Sequence, residues 1–347
     1  MESSPYAHGG PVLTGALRVE PADFVVEERL GFEPAGSGEH LFVHVEKTGA
    51  NTDWVAQQLG AFAGVAPVGV GYAGLKDRHA VTRQWLSLHL PGRADPDWSA
   101  LAIPGVRVLE AVRHDRKLKR GAHRGNRFRL RLREVGGDRD LAGARIAAIA
   151  THGVPNYFGE QRFGRDGDNL VLARQLFAGQ RLPRHLRGFA LSAARSVLFN
   201  RLLGRRVDAG NWDRAVPGEV WMLDGSHAIF GPLAFDATLA ERLASGDIHP
   251  TGPLWGRGAL RSEADVQALE ASIAAADPAL ADGLAQAGLE QERRALRLRV
   301  ADLEWSWEDA TTLAVAFALE SGAYATTVLR ELADWRLAAG QSPEGAS

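Results

Sequence analysis

Gly71-Tyr-Ala-Gly-Leu-Lys-Asp-Arg-His-Ala-Val-Thr-Arg-Gln-Trp85 places one carboxylate, Asp77, between two cations, Lys76 and Arg78. An apolar, glycine-rich run leads into it. Leu86, Leu88 and Leu90 alternate with Ser87 and His89 after it. A period of two on the far side of a short polar break predicts strand, turn, strand, with the acid at the turn. A lone acid among cations stays ionised at neutral pH, because opposite charges favour its charged form. That suits a nucleophile or a general base. An Asp at such a turn is also an ordinary Asx-turn residue.

Working outward, Asp23–Glu28 reads as a short strand and Glu39–Glu46 as a second. Thr52 is placed to cap a helix whose apolar face carries Trp54, Val55, Leu59 and Phe62. Asn126-Arg-Phe-Arg-Leu-Arg-Leu-Arg133 alternates without a break. Phe128, Leu130 and Leu132 share one face, and Arg127, Arg129, Arg131 and Arg133 share the other. A helix over Leu141–Ala150 follows, ended by Gly153. This irregular order favours an α+β fold with an antiparallel or mixed sheet over a β-α-β repeat. Beyond Gly153 the chain reads as helix-rich, over Leu170–Phe177, Ala190–Leu203, Glu263–Ala276 and Pro278–Gln286. Strand character returns at Leu313–Leu319, and Tyr324–Ala339 reads as a last helix. The pattern is that of a mainly helical domain inserted into a sheet domain.

Composition narrows the function. The 347 residues are 45% hydrophobic and 24% charged, enough for two domains with real cores. There is no Cys, so no disulfide framework, zinc knuckle or thiol nucleophile is available. The eleven His show no metal-ligand spacing. Gly69-Val-Gly-Tyr-Ala-Gly74 leads into a Lys-Asp turn instead of a helix, so it is not a dinucleotide loop. No Walker A motif or Gly-x-Ser-x-Gly elbow is present. No signal-like N-terminus or bilayer-spanning apolar run appears, which makes cytoplasmic the default localisation. The net charge of −2 hides two basic stripes. Arg113–Arg133 holds ten Lys or Arg and one acid, and Arg181–Arg206 holds seven Arg and none. The compensating acids lie elsewhere, notably between Glu263 and Asp309. Such stripes fit a localised phosphate track, or an Arg-rich composition without further meaning. The loop Asn156–Arg165 reads either as a structural hinge or as an RNA contact. In the second case Tyr157, Phe158 and Phe163 would stack on bases while Arg162 and Arg165 hold phosphate.

Together these segments resemble the TruD family of tRNA pseudouridine synthases. The matching blocks run in order along most of the chain. They are Asp23-Phe-Val-Val-Glu27, Gly38-Glu-His-Leu41, Lys47-Thr-Gly-Ala-Asn-Thr-Asp-Trp54 and Ala73-Gly-Leu-Lys-Asp-Arg-His-Ala-Val-Thr82. Lys117-Leu118, Gly125-Asn-Arg-Phe128, Val154–Gly164, Leu191–Asn200 and Ser321–Leu332 complete them. Two departures are mild: Ala323 stands where the family commonly has Ser, and Arg18 where a Lys is common. The resemblance implies a pseudouridine synthase catalytic domain over 1–152 and 305–347, interrupted by a helix-rich insertion over 153–304. It implies isomerisation of uridine to pseudouridine at position 13 of the tRNA D-arm, with Asp77 as the essential carboxylate. Phe24, Lys76, Asn126 and Phe128 are the implied substrate-binding residues. Arg18, Arg127, Arg129, Arg162 and Arg195 are candidate RNA contacts.

The chemistry breaks N1–C1′ and forms C5–C1′ without loss of atoms or redox change, so no metal or organic cofactor is expected. The partner is tRNA, with no membrane and no obligate protein partner, and a monomer is expected. One carboxylate can attack C1′, attack C6, or remove the C2′ proton, and all three routes are open. A uracil inside a stem must be flipped out, here expected into a cleft between domains, with stacking and phosphate contacts offsetting the cost. Lys76 and Arg78 are the nearest cations to Asp77 by sequence. Strand neighbours point apart, so its true partner is expected to be remote. A non-catalytic RNA-binding module and an N-glycoside hydrolase are the competing readings.

Overall fold

The Asn126–Arg133 alternation becomes the centre of a ten-stranded mixed sheet. The structure, a computed structural model, describes residues 4–164 and 167–337. In chain order it begins β1 (Leu13–Leu17), β2 (Phe24–Arg29), β3 (His40–Lys47), α1 (Thr52–Phe62), β4 (Val70–Tyr72), β5 (Val81–His89), β6 (Val106–His114), β7 (Gly125–Gly137) and α2 (Arg139–His152). It continues β8 (Val154–Pro155), α3 (Asp168–Phe177), α4 (Arg184–Asp208), β9 (Trp221–Leu223), β10 (Ile229–Phe230), α5 (Ala237–Ser245), β11 (Ile248–Leu254), α6 (Ala264–Ala276) and α7 (Pro278–Gln286). It closes with β12 (Glu292–Ala295), β13 (Arg297–Leu298), β14 (Ala301–Trp307), β15 (Leu313–Glu320), α8 (Ala325–Leu332) and β16 (Ala333–Leu337).

Two compact units divide the chain. The sheet unit holds Pro11–Ala142, Val300–Ala325 and the residues from Ala333. Its strand order is β14-β15-β7-β2-β5-β3-β6, with β1 pairing both β7 and β16, and β4 pairing β5. The β2–β5 and β1–β16 pairs are parallel and the others antiparallel. One face is apolar: Leu41, Val43, Val45, Leu86 and Leu88 pack under Val55 and Leu59 of α1. Trp54 and Phe62, expected on that face, are 42% and 40% exposed. Trp54 lies roughly 100° around the helix from Val55, off the stripe that Val55 and Leu59 share. Phe62 stacks on Trp98 instead.

The second unit holds the residues up to Gly10, Gly143–Arg299 and Thr326–Leu332. Its core gathers Ala190, Ala194, Leu198 and Leu202 of α4 with Leu280 and Leu284 of α7. The helices expected there are present, but so is a four-stranded sheet, β10-β9-β11-β12, which the helical reading missed. β11 reads Ile-His-Pro-Thr-Gly-Pro-Leu, with no period to detect. It pairs β9 through Ile248–Pro250 and β12 through Thr251–Leu254, so neither neighbour needs a full ladder past its prolines.

The last helix is also shorter than expected. α8 stops at Leu332, and Ala333–Leu337 is extended, in parallel register with β1. Sheet pairing here outweighs local helix propensity. Residues 338 and 339 of the expected helix lie outside the described residues.

Candidate active site

The site is built within the sheet unit, around the loop joining β4 to β5. The expected strand–turn–strand holds, with Asp77 in the turn. Its carboxylate is buried, and Oδ1 accepts the backbone N–H of His79 at 2.8 Å, an Asx-type closure of the turn. Oδ2 lies 2.8 Å from Nη2 of Arg18, with both side chains 3% exposed. Arg18 follows the end of β1 and sits in the left-handed backbone region at φ +60°, unusual for a residue with a Cβ. Its guanidinium stacks over Phe24, 4.2 Å from the ring centre. Burial pushes the Arg18 guanidinium below its usual range, and the Asp77 charge opposes that shift.

Strand register sets the remaining walls. Phe24 stands opposite Leu130, Val26 opposite Phe128 and Glu28 opposite Asn126. Phe128 stands opposite Phe317 on its other side. The rings of Phe24 and Phe128 meet edge to face at 6.3 Å, and both are buried. Asn126 continues that row, and its Oδ1 is buried without a hydrogen-bond partner among the described residues. Lys76 turns away from Asp77, as strand-like alternation requires, and donates to Glu28 Oε2 at 2.6 Å. Glu28 also accepts the Trp85 N–H. His123 donates to or accepts from Ser321 through Nε2 at 3.1 Å. Burial lowers its pKa, Lys76 adding to the effect and Glu28 opposing it.

Lys47, at the end of β3, is buried with all three ammonium protons directed at carbonyls: Ala50, Lys76 and Asp77, at 2.9, 3.1 and 3.0 Å. Burial pushes it down to about 8, against the attraction of Asp77, while Lys76 adds to the lowering. The expected N-cap Thr52 is the first helical residue instead, after Asn51. Its hydroxyl donates to Gln84 Oε1 and accepts the N–H of Lys76, each at 2.9 Å. The sequence reading passed over Glu28, Lys47 and Thr52 as site residues. A signal was present: Glu28 continues the Phe24, Val26 face, and Lys47 continues the Val43, Val45 face. A charge at the end of a buried stripe needs a partner.

The candidate RNA contacts are dispersed. Arg127, Arg129, Arg131 and Arg133 occupy the sheet face opposite Phe128. Three are paired: Arg127 with Glu304, Arg131 with Glu308, and Arg133 with Asp23. The Arg129 side chain has no ion-pair or hydrogen-bond partner among the described residues. It lines a hollow of about 530 Å³ on that face with Val25, Val81, Trp305 and Ala316. In the helical unit, Arg195 bonds Glu292 and the Trp255 carbonyl, Arg201 pairs with Asp277, and Arg206 pairs with Glu219. Much of both basic stripes is therefore neutralised by acids remote in sequence. Arg162 donates to Ser192 and lies over Phe158. Tyr157, Phe158 and Phe163, weighed as base-stacking residues, are part of the helical core. Their rings are thus taken up by packing within that unit. Arg165 lies outside the described residues.

The family model for tRNA pseudouridine synthase D (TruD) matches residues 1–180 and 168–332. The tRNA pseudouridine synthase D of Xanthomonas campestris pv. campestris (strain 8004) is 53% identical, over 99% of this chain and 98% of its own length. That of Methylococcus capsulatus is 52% identical over 95% and 94%. In fold, the chain is similar to the crystal structure of a putative tRNA pseudouridine synthase D from Methanosarcina mazei. The TM-score is 0.76 at 23% identity, over 94% of this chain and 95% of that one.

Proposed function

Because the chain belongs to the TruD family of tRNA pseudouridine synthases, we propose that it isomerises uridine at position 13 of the tRNA D-arm, with Asp77 as the essential carboxylate. The observation that carries this reading is the buried Asp77–Arg18 pair, set beside the aromatic row of Phe24 and Phe128. A turn acid with a purely structural task is satisfied by the His79 N–H alone. Here the second oxygen is also paired in charge, 2.8 Å from a guanidinium held in a strained backbone conformation, although the two atoms are not aligned as a hydrogen bond.

In the proposed reaction the target uridine leaves its stack, and the flipped ring packs against Phe128 and Phe24. The unpartnered Asn126 Oδ1 is an acceptor for the uracil N3–H. Asp77 acts on the nucleoside by one of the three routes open to a carboxylate. The N1–C1′ bond breaks, the ring turns, C5 bonds to C1′, the C5 proton leaves to solvent, and N1 takes up a proton in exchange. Arg18 holds the carboxylate while it is at rest and balances negative charge that develops on the departing ring. Lys76, bonded to Glu28, orders the wall beside Asn126. We assign the catalytic domain to 1–152 and 305–347 and the insertion to 153–304, a division by chain order. The compact units differ from it by grouping residues up to Gly10, 143–152 and Thr326–Leu332 with the insertion and 300–304 with the sheet. Arg129, whose side chain lacks a partner among the described residues, is the cation of the four-Arg strand best placed to take a phosphate.

The test is tritium release from tRNA carrying [5-³H]uridine. Isomerisation releases tritium without free uracil, and N-glycoside hydrolysis releases uracil. Tight binding with neither product would mean an RNA-binding protein that does no chemistry on this tRNA.

A further inference from the structure

Nothing in the reaction proposed above uses the block Lys47-Thr-Gly-Ala-Asn-Thr52, yet it touches the Asp77 loop at four points. Lys47 Nζ donates to the carbonyls of Lys76 and Asp77. The Gly49 N–H donates to the Arg78 carbonyl at 2.8 Å. The Thr52 hydroxyl accepts the Lys76 N–H. Three successive carbonyls, 76, 77 and 78, are thus held by one six-residue segment, and so is the N–H that precedes them. The segment is itself anchored. Lys47 Nζ closes back on Ala50, Thr48 N–H bonds the Gly105 carbonyl, and Thr52 is tied to Gln84 of β5.

An ammonium has three donors and no acceptor, and here each donor meets a carbonyl. It bears on the backbone of the loop, while the Asp77 carboxylate itself is bound by Arg18 and His79. Thr82 of β5 and Val106 of β6, the register partners of Lys47, are uncharged. The charges facing it are those of Asp77 and Lys76.

We propose that Lys47–Thr52 is a clamp that fixes the backbone on both sides of Asp77, with Lys47 and Thr52 as positioning residues for its carboxylate. The proposal rests on the reading of Asp77 as the reacting group. Neither residue touches the carboxylate through its side chain. Their effect is to keep it where Arg18 and a substrate can meet it, a placement that must hold to a fraction of an ångström.

Thr52→Val removes the hydroxyl with little change of shape, Thr52→Ser restores it, and Lys47→Met removes the ammonium. Two readouts are taken on the full chain. The first is hydrogen exchange at the His79 amide, which bonds the Asp77 carboxylate and is altered by none of the variants. In Thr52→Val and Lys47→Met this amide should exchange at least about tenfold faster, a local opening, while amides of the β3–β5 ladder stay within about twofold. The second is kinetics on tRNA. In both variants kcat should fall about 10- to 100-fold with KM within about twofold, and Thr52→Ser should restore kcat.

The clamp is overturned if His79 exchange is unchanged, if protection is lost equally across the ladder, or if kcat survives Thr52→Val. Should Lys47→Met not fold, Thr52→Val decides alone. If the wild-type protein makes no pseudouridine, the proposed reaction falls, and the exchange measurement still decides the clamp.

Discussion

Removing the Arg18 guanidinium should strand a buried carboxylate, a cost that neutralising Asp77 as well should partly relieve. Arg18 and Asp77 are 3% exposed and 2.8 Å apart at their nearest atoms. With charge centres about 3–4 Å apart and an effective dielectric near 20, the attraction is about 4–6 kcal/mol. Desolvation opposes it, so the pair itself contributes little net stability. Breaking one side leaves a buried charge alone, at a cost of about 3–5 kcal/mol. Arg18→Met also loses the stacking over Phe24, a further ~0.5–2 kcal/mol. Asp77→Asn should cost a similar few kcal/mol by stranding the guanidinium. The double variant Arg18→Met/Asp77→Asn should recover at least about 2 kcal/mol relative to the sum of the singles, a coupling typical of groups in direct contact. Urea unfolding of the four proteins at pH 7 and fixed ionic strength measures the cycle. Additive single effects, with coupling under about 0.5 kcal/mol, would refute a direct buried pair.

Other consequences follow from single residues. Lys47 has its pKa lowered from 10.5 to about 8 in the folded chain. Above pH 8 the unfolded state therefore binds more protons, and stability should rise with pH. The wild type should gain on Lys47→Met by about 1.4 kcal/mol per unit between about pH 8 and 10.5, with no pH-dependent difference below. A difference in urea stability that is flat or falls over that range would contradict the burial of its charge. Gly38 sits at φ +123° with its missing Cβ aimed at the His114 carbonyl. Gly38→Ala should cost at least about 2 kcal/mol in denaturant unfolding, and a loss under 0.5 would mean that the turn adapts. Arg129→Ala should weaken tRNA binding and reduce the slope of log K against log salt by about 1. An unchanged slope would take Arg129 out of the RNA interface.

The legible parts of this chain were those with a strict period or a short range. Phe128, Leu130 and Leu132 against four arginines gave β7 its two faces from spacing alone, and the β4–β5 turn placed Asp77. The argument that Lys76 and Arg78 point away from Asp77 anticipated a distant partner. It could not name Arg18, because 58 residues of chain lie between them and the successive pairings β1–β7, β7–β2 and β2–β5 bring them together. Basic stripes were visible, and their neutralisation was not: Arg127 meets Glu304 and Arg201 meets Asp277 across tertiary distances. β11 was hidden for a local reason, its two prolines and a glycine erasing the alternation. The end of α8 was hidden for a tertiary one, since β1 draws Ala333–Leu337 into the sheet.

The most direct test of the central claim is position-specific mapping of pseudouridine. A transcribed tRNA with uridine at position 13 is incubated with wild-type protein or with Asp77→Asn, treated with carbodiimide, and read by primer extension. The account predicts a stop at position 13 with wild type and none with Asp77→Asn, although the variant still binds the tRNA. Modification retained by Asp77→Asn, or wild-type modification only at another uridine, would contradict it.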